Sequence, residues 1–148
     1  MAWGTEKEPE AKAAYEFMRN LDIAPAGFVD HPDIEESGAS PDGYVGDDGL
    51  IEIKCPISAT HIETLLTGKI PDKYAVQMLW QMSATGRLWC DYVSFDPRCP
   101  AHLQLFIKRL HRDEKRIGEL EREVESFLAE VDDTIAKLAA LAPKAEAA

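Results

Sequence analysis

A short apolar segment, residues 50–54, sets the strongest limit on the fold of this chain. It reads Leu-Ile-Glu-Ile-Lys and is followed by Cys-Pro. Apolar and charged residues alternate toward its end, and this period of two predicts a β-strand that stops at the proline. Side chains two apart on a strand share a face, so Glu52 and Lys54 are expected on one face. Ile51 and Ile53 are then expected to point into the core.

The segments around this strand predict a mixed α/β domain. Glycines act as stop signals after two of the helices, at Gly68 and Gly86. Helices are expected over residues 5–20, 59–66, 72–85 and, as a long last helix, about 112–141. Further strands are expected over 88–95 and 103–110, with short extended pieces at 27–30 and 44–45. We predict one domain over residues 1–148, with a core over about 3–110 and a disordered tail over 142–148.

Three helices carry recognisable start signals. Thr5 is a candidate N-cap with Glu8 three residues later, which is the capping-box spacing. Ser58 is a candidate N-cap for the second helix. Pro71 lies where the first turn of the third helix is expected.

The last helix carries a heptad pattern of apolar residues. Leu128 and Ile135 widen the stripe. A wide stripe is typical of a helix that docks on its own domain, whereas a strict heptad is typical of a coiled coil. The pattern favours docking and leaves self-association as the alternative. The two heptad rows are Ile117, Val124, Val131 and Leu138, and Leu120, Phe127, Thr134 and Leu141.

Composition excludes several classes of protein. No run approaches the roughly 18–20 apolar residues of a membrane span, and the first residues lack the features of a signal peptide. The three cysteines have neither C-x-x-C nor zinc-site spacing. These features predict a cytoplasmic protein with reduced thiols and no membrane association.

The net charge of −11 is unevenly distributed along the chain. Residues 1–50 carry 3 basic and 12 acidic groups, whereas residues 51–110 carry 7 basic and 5 acidic groups. Binding to nucleic-acid phosphates depends on Lys and Arg, and acidic clusters can hold divalent metals. The charge therefore excludes neither a phosphate site nor a metal site in the middle of the chain.

Asp42 and the charged strand form the pattern that points to chemistry. Residues 40–43, Ser-Pro-Asp-Gly, read as a surface turn when taken alone, and Glu52 with Lys54 reads as a solvated strand face. Together they predict two carboxylates that chelate one Mg²⁺, with the carbonyl of Ile53 as a third oxygen ligand. Lys54 would then orient or polarise a metal-bound water. These groups suit phosphodiester hydrolysis.

Pro-Asp, followed by Glu-x-Lys on a strand with the Glu ten positions after the Asp, is the signature of the PD-(D/E)xK nucleases. Four further blocks accompany it: Trp3-Gly4 with Glu8, the Gly-Ala-Ser-Pro-Asp-Gly run over 38–43, Tyr74-x-x-Gln77, and Phe-Asp-Pro-Arg over 95–98. In this order the chain resembles the lambda exonuclease family of phage-type recombination nucleases, from Trp3 to about Leu141. The resemblance implies a restriction-endonuclease-like core, with a mixed central sheet flanked by helices and a long C-terminal helix.

The resemblance also implies a role for individual residues. Asp42 and Glu52 match the family's metal-binding carboxylates, and Lys54 matches its catalytic lysine. Glu8 matches an acidic residue that completes the metal site, and Gln77 matches a glutamine that reaches the active site. Tyr74, Gln77 and Gln81 are spaced to share one helical face, for which the alternative is a solvated surface.

The activity implied by the family is Mg²⁺-dependent hydrolysis of linear double-stranded DNA from its ends in the 5′ to 3′ direction, with Mn²⁺ able to substitute. Family members form homotrimers and work alongside a single-strand annealing protein. Compared with them, the chain is expected to lack an N-terminal part that supplies a 5′-phosphate clamp. Two alternatives therefore stay open: a non-catalytic remnant that acts as an interaction module, and a RecB-like nuclease with endonuclease activity.

Other reactive side chains read as structural. The four histidines share no metal-binding spacing and are expected at the surface or partly buried: His31, His61, His102 and His111. Cys55 reads as core packing at a strand end. Trp80, Trp89 and Phe95 read as core residues rather than a platform for stacking bases.

Overall fold

The computed structural model describes residues 2–143. Its elements follow the predicted order of helix, strands, helices, strands and helix. In chain order they are α1 (Ala2–Arg19), β1 (Ile23–Ala24), β2 (Val29–Asp30), β3 (Gly38–Ala39), β4 (Gly43–Val45), β5 (Gly49–Lys54), α2 (Ser58–Thr67), α3 (Asp72–Thr85), β6 (Trp89–Phe95), a 3₁₀ helix (Ala101–Leu103), β7 (Leu105–His111) and α4 (Glu114–Ala140).

Five strands form one mixed sheet in the order β1-β4-β5-β6-β7. β5 pairs with β6 in parallel, and the other neighbours pair antiparallel. Parallel neighbours need a crossover connection, and α2 and α3 supply it between β5 and β6. β2 and β3 form a separate antiparallel pair. The predicted mixed sheet with flanking helices and a long C-terminal helix is confirmed.

The core lies where α1 packs on the middle of the sheet. Both isoleucines of β5 are buried, as the alternation predicted. Glu52 between them is also buried, with 1% of its surface exposed, so both faces of this strand are covered. The buried core cluster consists of Ala11, Tyr15, Val45, Ile51, Ile53, Val93 and Phe95.

The predicted start signals of the helices differ from the structure at three positions, although α3 begins at Asp72 as predicted. α1 begins at Ala2, so Thr5 lies inside the helix and the capping-box prediction is wrong. Ser58 is the first residue of α2 rather than its cap; its hydroxyl instead donates to Asp96 Oδ2 at 2.5 Å. Pro71 is itself the cap of α3, where its extended backbone precedes the first turn. The two glycine stops are confirmed, since Gly68 and Gly86 both adopt left-handed backbone conformations.

Two short strands, β1 and β3, were not predicted from the sequence. Each contains two residues, which is too short for a period of two to be visible. β3 begins at Gly38, where a Cβ would lie 2.5 Å from the Val29 carbonyl oxygen. The close pairing of β2 and β3 therefore requires glycine at this position.

The chain divides into two compact units, Met1–Asp113 and Glu114–Ala148. Within α4, Ile117 is buried, whereas Phe127, Ile135 and Leu138 are exposed. Docking and self-association of this stripe both stay predictions. The predicted disordered tail lies, from residue 144 onward, outside the described residues. Among the described helices, none is both long enough and apolar enough to cross a membrane.

Candidate active site

The β4–β5 hairpin brings Asp42 beside Glu52. Gly43 pairs with Ile51 in the antiparallel register, so Asp42, one residue earlier, lies next to the position of Glu52. The Ile53 N–H donates a 2.7 Å hydrogen bond to Asp42 Oδ2, which fixes this carboxylate on the end of β5. The two acidic residues of the predicted motif are therefore brought together.

Glu52 is held by two donors inside the protein. Lys54 Nζ lies 2.8 Å from Glu52 Oε1, and Gln81 Nε2 lies 2.8 Å from Glu52 Oε2. Because Glu52 is only 1% exposed, the alternative of a solvated strand face is wrong for this residue. A buried carboxylate with charged and amide partners is typical of a functional site, whereas charged residues on the surface are usually solvated.

The Asp42 carboxyl group has a raised pKa. Burial, and then the neighbouring charge of Glu52, raise its pKa from 3.8 to about 6. The two carboxylates therefore repel each other when both are ionised. A divalent cation between them would relieve this repulsion.

Lys54 is a protonated ammonium in this arrangement. Burial favours the neutral amine, but the hydrogen bond to Glu52 and its negative charge outweigh burial and raise the Lys54 pKa. Its Nζ lies 4.7 Å from the centroid of the Tyr74 ring, and that ring stacks on Tyr92. Lys54 is thus placed to donate hydrogen bonds rather than to accept a proton.

Glu8 lies on the side of α1 that faces the sheet. It shares this helical face with Ala11 and Tyr15, both buried, and Tyr15 donates a 2.7 Å hydrogen bond to Asp91 Oδ2 on β6. The charge of Glu8 contributes to the raised pKa of Asp42. Its carboxylate pairs with Lys12 at 3.1 Å. A role for Glu8 in a metal site stays a prediction.

Gln77 and Gln81, which the sequence predicted on one polar face of a helix, have different surroundings in the structure. Gln77 is exposed, one helical turn after Tyr74, and its role at the active site stays a prediction. Gln81 is 2% exposed and contacts Glu52, so the alternative of a solvated surface is wrong for Gln81. The contact could not be read from the sequence because Glu52 and Gln81 lie on different elements.

Oxygen donors suited to a hard cation lie together at the end of β5. Within residues 2–143, no group of three His, Cys, Asp or Glu side chains is close enough to hold a metal ion. Proteins commonly hold Mg²⁺ with only one or two carboxylates, together with water and substrate phosphates. The pair of Asp42 and Glu52 fits this pattern, and the Ile53 carbonyl stays the predicted third ligand.

The Phe-Asp-Pro-Arg block forms a clamp on the chain that leaves β5. Arg98 Nε donates to Asp96 Oδ1 at 2.8 Å, and its terminal nitrogen donates to the Pro56 carbonyl at 3.2 Å. Asp96 also accepts from Ser58. Burial favours the neutral Asp96 side chain, but the hydrogen bonds from Arg98 and Ser58 outweigh burial and lower its pKa to about 2. The block fixes the backbone directly after Lys54.

The histidines and Cys55 have structural surroundings. His61 is fully buried, and hydrogen bonds of 2.7 Å join its ring nitrogens to Ser94 Oγ and to the Leu103 carbonyl. His31 is also buried, so the expectation of surface or partly buried positions is wrong for these two histidines. Cys55 packs against the core as predicted, and burial raises the pKa of its thiol to about 11.

Comparison with known proteins identifies the family. The model of the YqaJ-like viral recombinase domain matches residues 1–88. The chain belongs to the YqaJ-like viral recombinase family. The resemblance to lambda-type recombination nucleases is thereby confirmed. No match was found among curated protein sequences.

This YqaJ-like chain is similar to solved structures of nucleases. An alkaline exonuclease (LHK-Exo) from Laribacter hongkongensis is 52% identical, with a TM-score of 0.90, over 91% of this chain and 70% of that one. LHK-Exo in complex with dAMP is 51% identical, with a TM-score of 0.92, over 93% of this chain and 71% of that one. A phage-related exonuclease from Haemophilus somnus 129PT is 16% identical, with a TM-score of 0.69 over 93% of this chain and 72% of that one, and it supports the fold alone.

Proposed function

We propose that this protein is a Mg²⁺-dependent DNA exonuclease of phage-type recombination that acts in the cytoplasm. It hydrolyses linear double-stranded DNA from its ends, in the 5′ to 3′ direction, and Mn²⁺ can replace Mg²⁺. The observation that carries the proposal is the buried Glu52 carboxylate, held by Lys54 and adjacent to Asp42. The likeness to an alkaline exonuclease at 52% identity supports the same reaction class.

Each residue of the site has a distinct role in this reaction. Asp42, Glu52 and the Ile53 carbonyl would hold the cation, and Glu8 would complete the site. When bound, the cation would activate water and neutralise charge on the scissile phosphate. Lys54, as an ammonium, orients the attacking water and stabilises negative charge that develops on the phosphate. Gln77, one turn beyond Tyr74, contacts the substrate.

A groove beside the site is suited to a DNA strand. It measures 390 Å³ and lies between α2 and the start of α3, with Lys69 and Lys73 on its wall and Tyr74 at the end near Lys54. Thr60 and Thr67 add hydroxyl groups that can bind phosphate oxygens. Glu63 and Asp72 also line it, so the attraction depends on the two lysines. We assign this groove to the sugar–phosphate backbone next to the scissile bond.

The family resemblance also supports two proposals about assembly. The first is that the protein forms homotrimers, and the second is that it works with a single-strand annealing protein. Sedimentation equilibrium of the full chain over a range of concentrations measures the first directly. A mass corresponding to a monomer at every concentration would contradict the trimer.

Degradation assays on matched substrates test the activity. A linear duplex labelled at one 5′ or one 3′ end is compared with a covalently closed circle, in Mg²⁺ and in EDTA. We expect the linear duplex to be degraded only with Mg²⁺, with the 5′ label released first, and the circle to stay intact. Cleavage of the circle would favour the endonuclease alternative, and no cleavage at all would favour the non-catalytic alternative.

Carboxylate variants link that activity to the site. Asp42→Ala and Glu52→Ala should each abolish hydrolysis and weaken Mn²⁺ binding in calorimetry. Asp47→Ala removes the same charge at the exposed opposite end of the hairpin, and it should leave both measurements unchanged. Near-normal metal-dependent cleavage by Asp42→Ala would show that the site is assigned wrongly.

A further inference from the structure

We infer that Gln81 is a positioning residue whose buried amide orients the Glu52 carboxylate for a divalent cation. The inference rests on the proposed function, because it concerns the same cation site. Gln81 belongs to none of the motif blocks in the sequence. Its assignment comes only from its place on α3 opposite β5.

Two donors fix the plane of the Glu52 carboxylate. Gln81 Nε2 bonds Oε2 and Lys54 Nζ bonds Oε1, each at 2.8 Å. Each carboxylate oxygen has about two lone-pair sites, so both oxygens keep acceptor capacity for a cation. Without Gln81, the Oε2 side of this buried group would have no donor within residues 2–143 to set its direction.

Among the described residues, the contact with Glu52 is the hydrogen bond that the Gln81 amide contributes, because its other end adds none. Its Oε1 is buried and accepts no hydrogen bond from the described residues. A buried acceptor without a partner is unfavourable, and an apolar side chain of similar shape would avoid it. Rotating the amide by half a turn would place Oε1 against Glu52 Oε2, where two acceptors repel. The amide is therefore held in one orientation by Glu52.

Neighbouring residues of α3 hold both halves of the site. Trp80 Nε1 donates a 3.0 Å hydrogen bond to the Gly38 carbonyl on β3, and the chain runs from β3 directly into Asp42. Gln81, the next residue, holds Glu52. One turn of α3 therefore holds the β2–β3 pair, which precedes Asp42 in the chain, through Trp80. The same turn holds the side chain of Glu52 through Gln81.

The test is Mn²⁺ binding to the full chain by isothermal titration calorimetry, a measurement that needs no turnover. Gln81→Met keeps the length of the side chain but removes the donor to Glu52. Replacing such supporting partners of a metal ligand typically weakens metal affinity about 10–100-fold, and we expect a loss in this range. The matched control is Ser83→Ala, which removes another buried hydrogen bond of α3, the 2.8 Å bond to His31, and should keep the Mn²⁺ affinity.

Every outcome of this experiment is informative. Folded Gln81→Met with unchanged affinity overturns the inference and leaves the proposed cation site intact. If the unaltered chain binds no Mn²⁺, the cation site and the inference both fail. If Gln81→Met does not fold, Gln81→Asn, which keeps an amide but is shorter by one methylene, should show the same loss. If neither variant folds while Ser83→Ala does, the amide serves the fold itself and the inference is overturned.

Discussion

At the scale of single residues, Lys54 is the group whose chemistry can be separated from cation binding. Lys54→Ala removes one of the two donors to Glu52, so its rate is compared at saturating Mn²⁺, where it should still be lower by roughly 10²–10⁴-fold, the range typical of a positioned acid–base or electrostatic group. Lys54→Arg should not restore the rate, because a planar guanidinium cannot take the place of a compact ammonium. Single-turnover cleavage of a linear duplex measures both effects. If Lys54→Arg cleaved the duplex at the normal rate, the proposed role of the Lys54 ammonium would be wrong.

Asp96 gives a prediction for stability against pH. Its pKa falls from 3.8 to about 2 on folding, so its ionised form stabilises the fold above pH 3.8, and this contribution is lost as the pH falls toward 2. Asp96→Asn should lower the free energy of unfolding by about 2 kcal/mol at pH 7, and the difference should shrink below pH 4. Urea unfolding at a series of pH values measures it. Asp47→Asn is the exposed control, and an equal loss there would contradict the assignment.

At the scale of elements, the start of β5 depends on a glycine. A Cβ on Gly49 would lie 2.2 Å from the Trp89 ring on β6, and the Arg109 guanidinium covers that ring at 3.5 Å from its centroid. Gly49→Ala should therefore destabilise the protein by roughly 1–3 kcal/mol, as overpacking does.

Gly118→Ala is a control that should change stability in the opposite direction. It adds a methyl group inside α4, where the nearest atom is the end of Arg122 at 3.6 Å. It should stabilise α4 by roughly 0.5–1 kcal/mol, since glycine is a poor helix former. Thermal unfolding of both variants compares them. A Gly49→Ala variant as stable as the parent would show that Trp89 can move aside.

Elements with clear periodicity could be predicted from the sequence, and contacts between elements could not. The bounds of α3 and the burial of Ile51 and Ile53 followed from pattern and from glycine stops. The start of α1 did not, because Thr5 offered a cap that the helix passes through. Within the site, the proximity of Asp42 and Glu52 followed from a local hairpin. The Gln81 contact joins α3 to β5, and no local rule specifies such a pair.

At the scale of the whole molecule, an acidic protein that acts on DNA is expected to attract this polyanion only through a small, more basic region. Its net charge is −11, yet residues 51–110 carry 7 basic and 5 acidic groups. DNA binding should therefore weaken steeply with salt, with a slope of about −0.9 per neutralised phosphate on logarithmic axes. Lys69→Gln with Lys73→Gln should reduce the magnitude of that slope by about 2.

Fluorescence anisotropy with a duplex in EDTA measures this slope without cleavage. Lys115→Gln with Lys137→Gln on α4 removes the same charge from the other compact unit and should leave the slope unchanged. Equal effects of the two double variants would show that DNA responds to total charge rather than to the groove.

The local origin of the β4–β5 hairpin has a consequence for how the protein reaches its folded state. Residues 42–54 contain both carboxylates and Lys54, whereas Gln81 arrives only when the crossover over residues 55–88 has closed. Short loops close at a lower entropic cost than long ones, and hairpins form within about 1–10 μs. We therefore expect the two like charges to meet early on the folding pathway, before Gln81 is in place. A divalent cation bound at that stage would increase the folding rate as well as the stability of the folded protein.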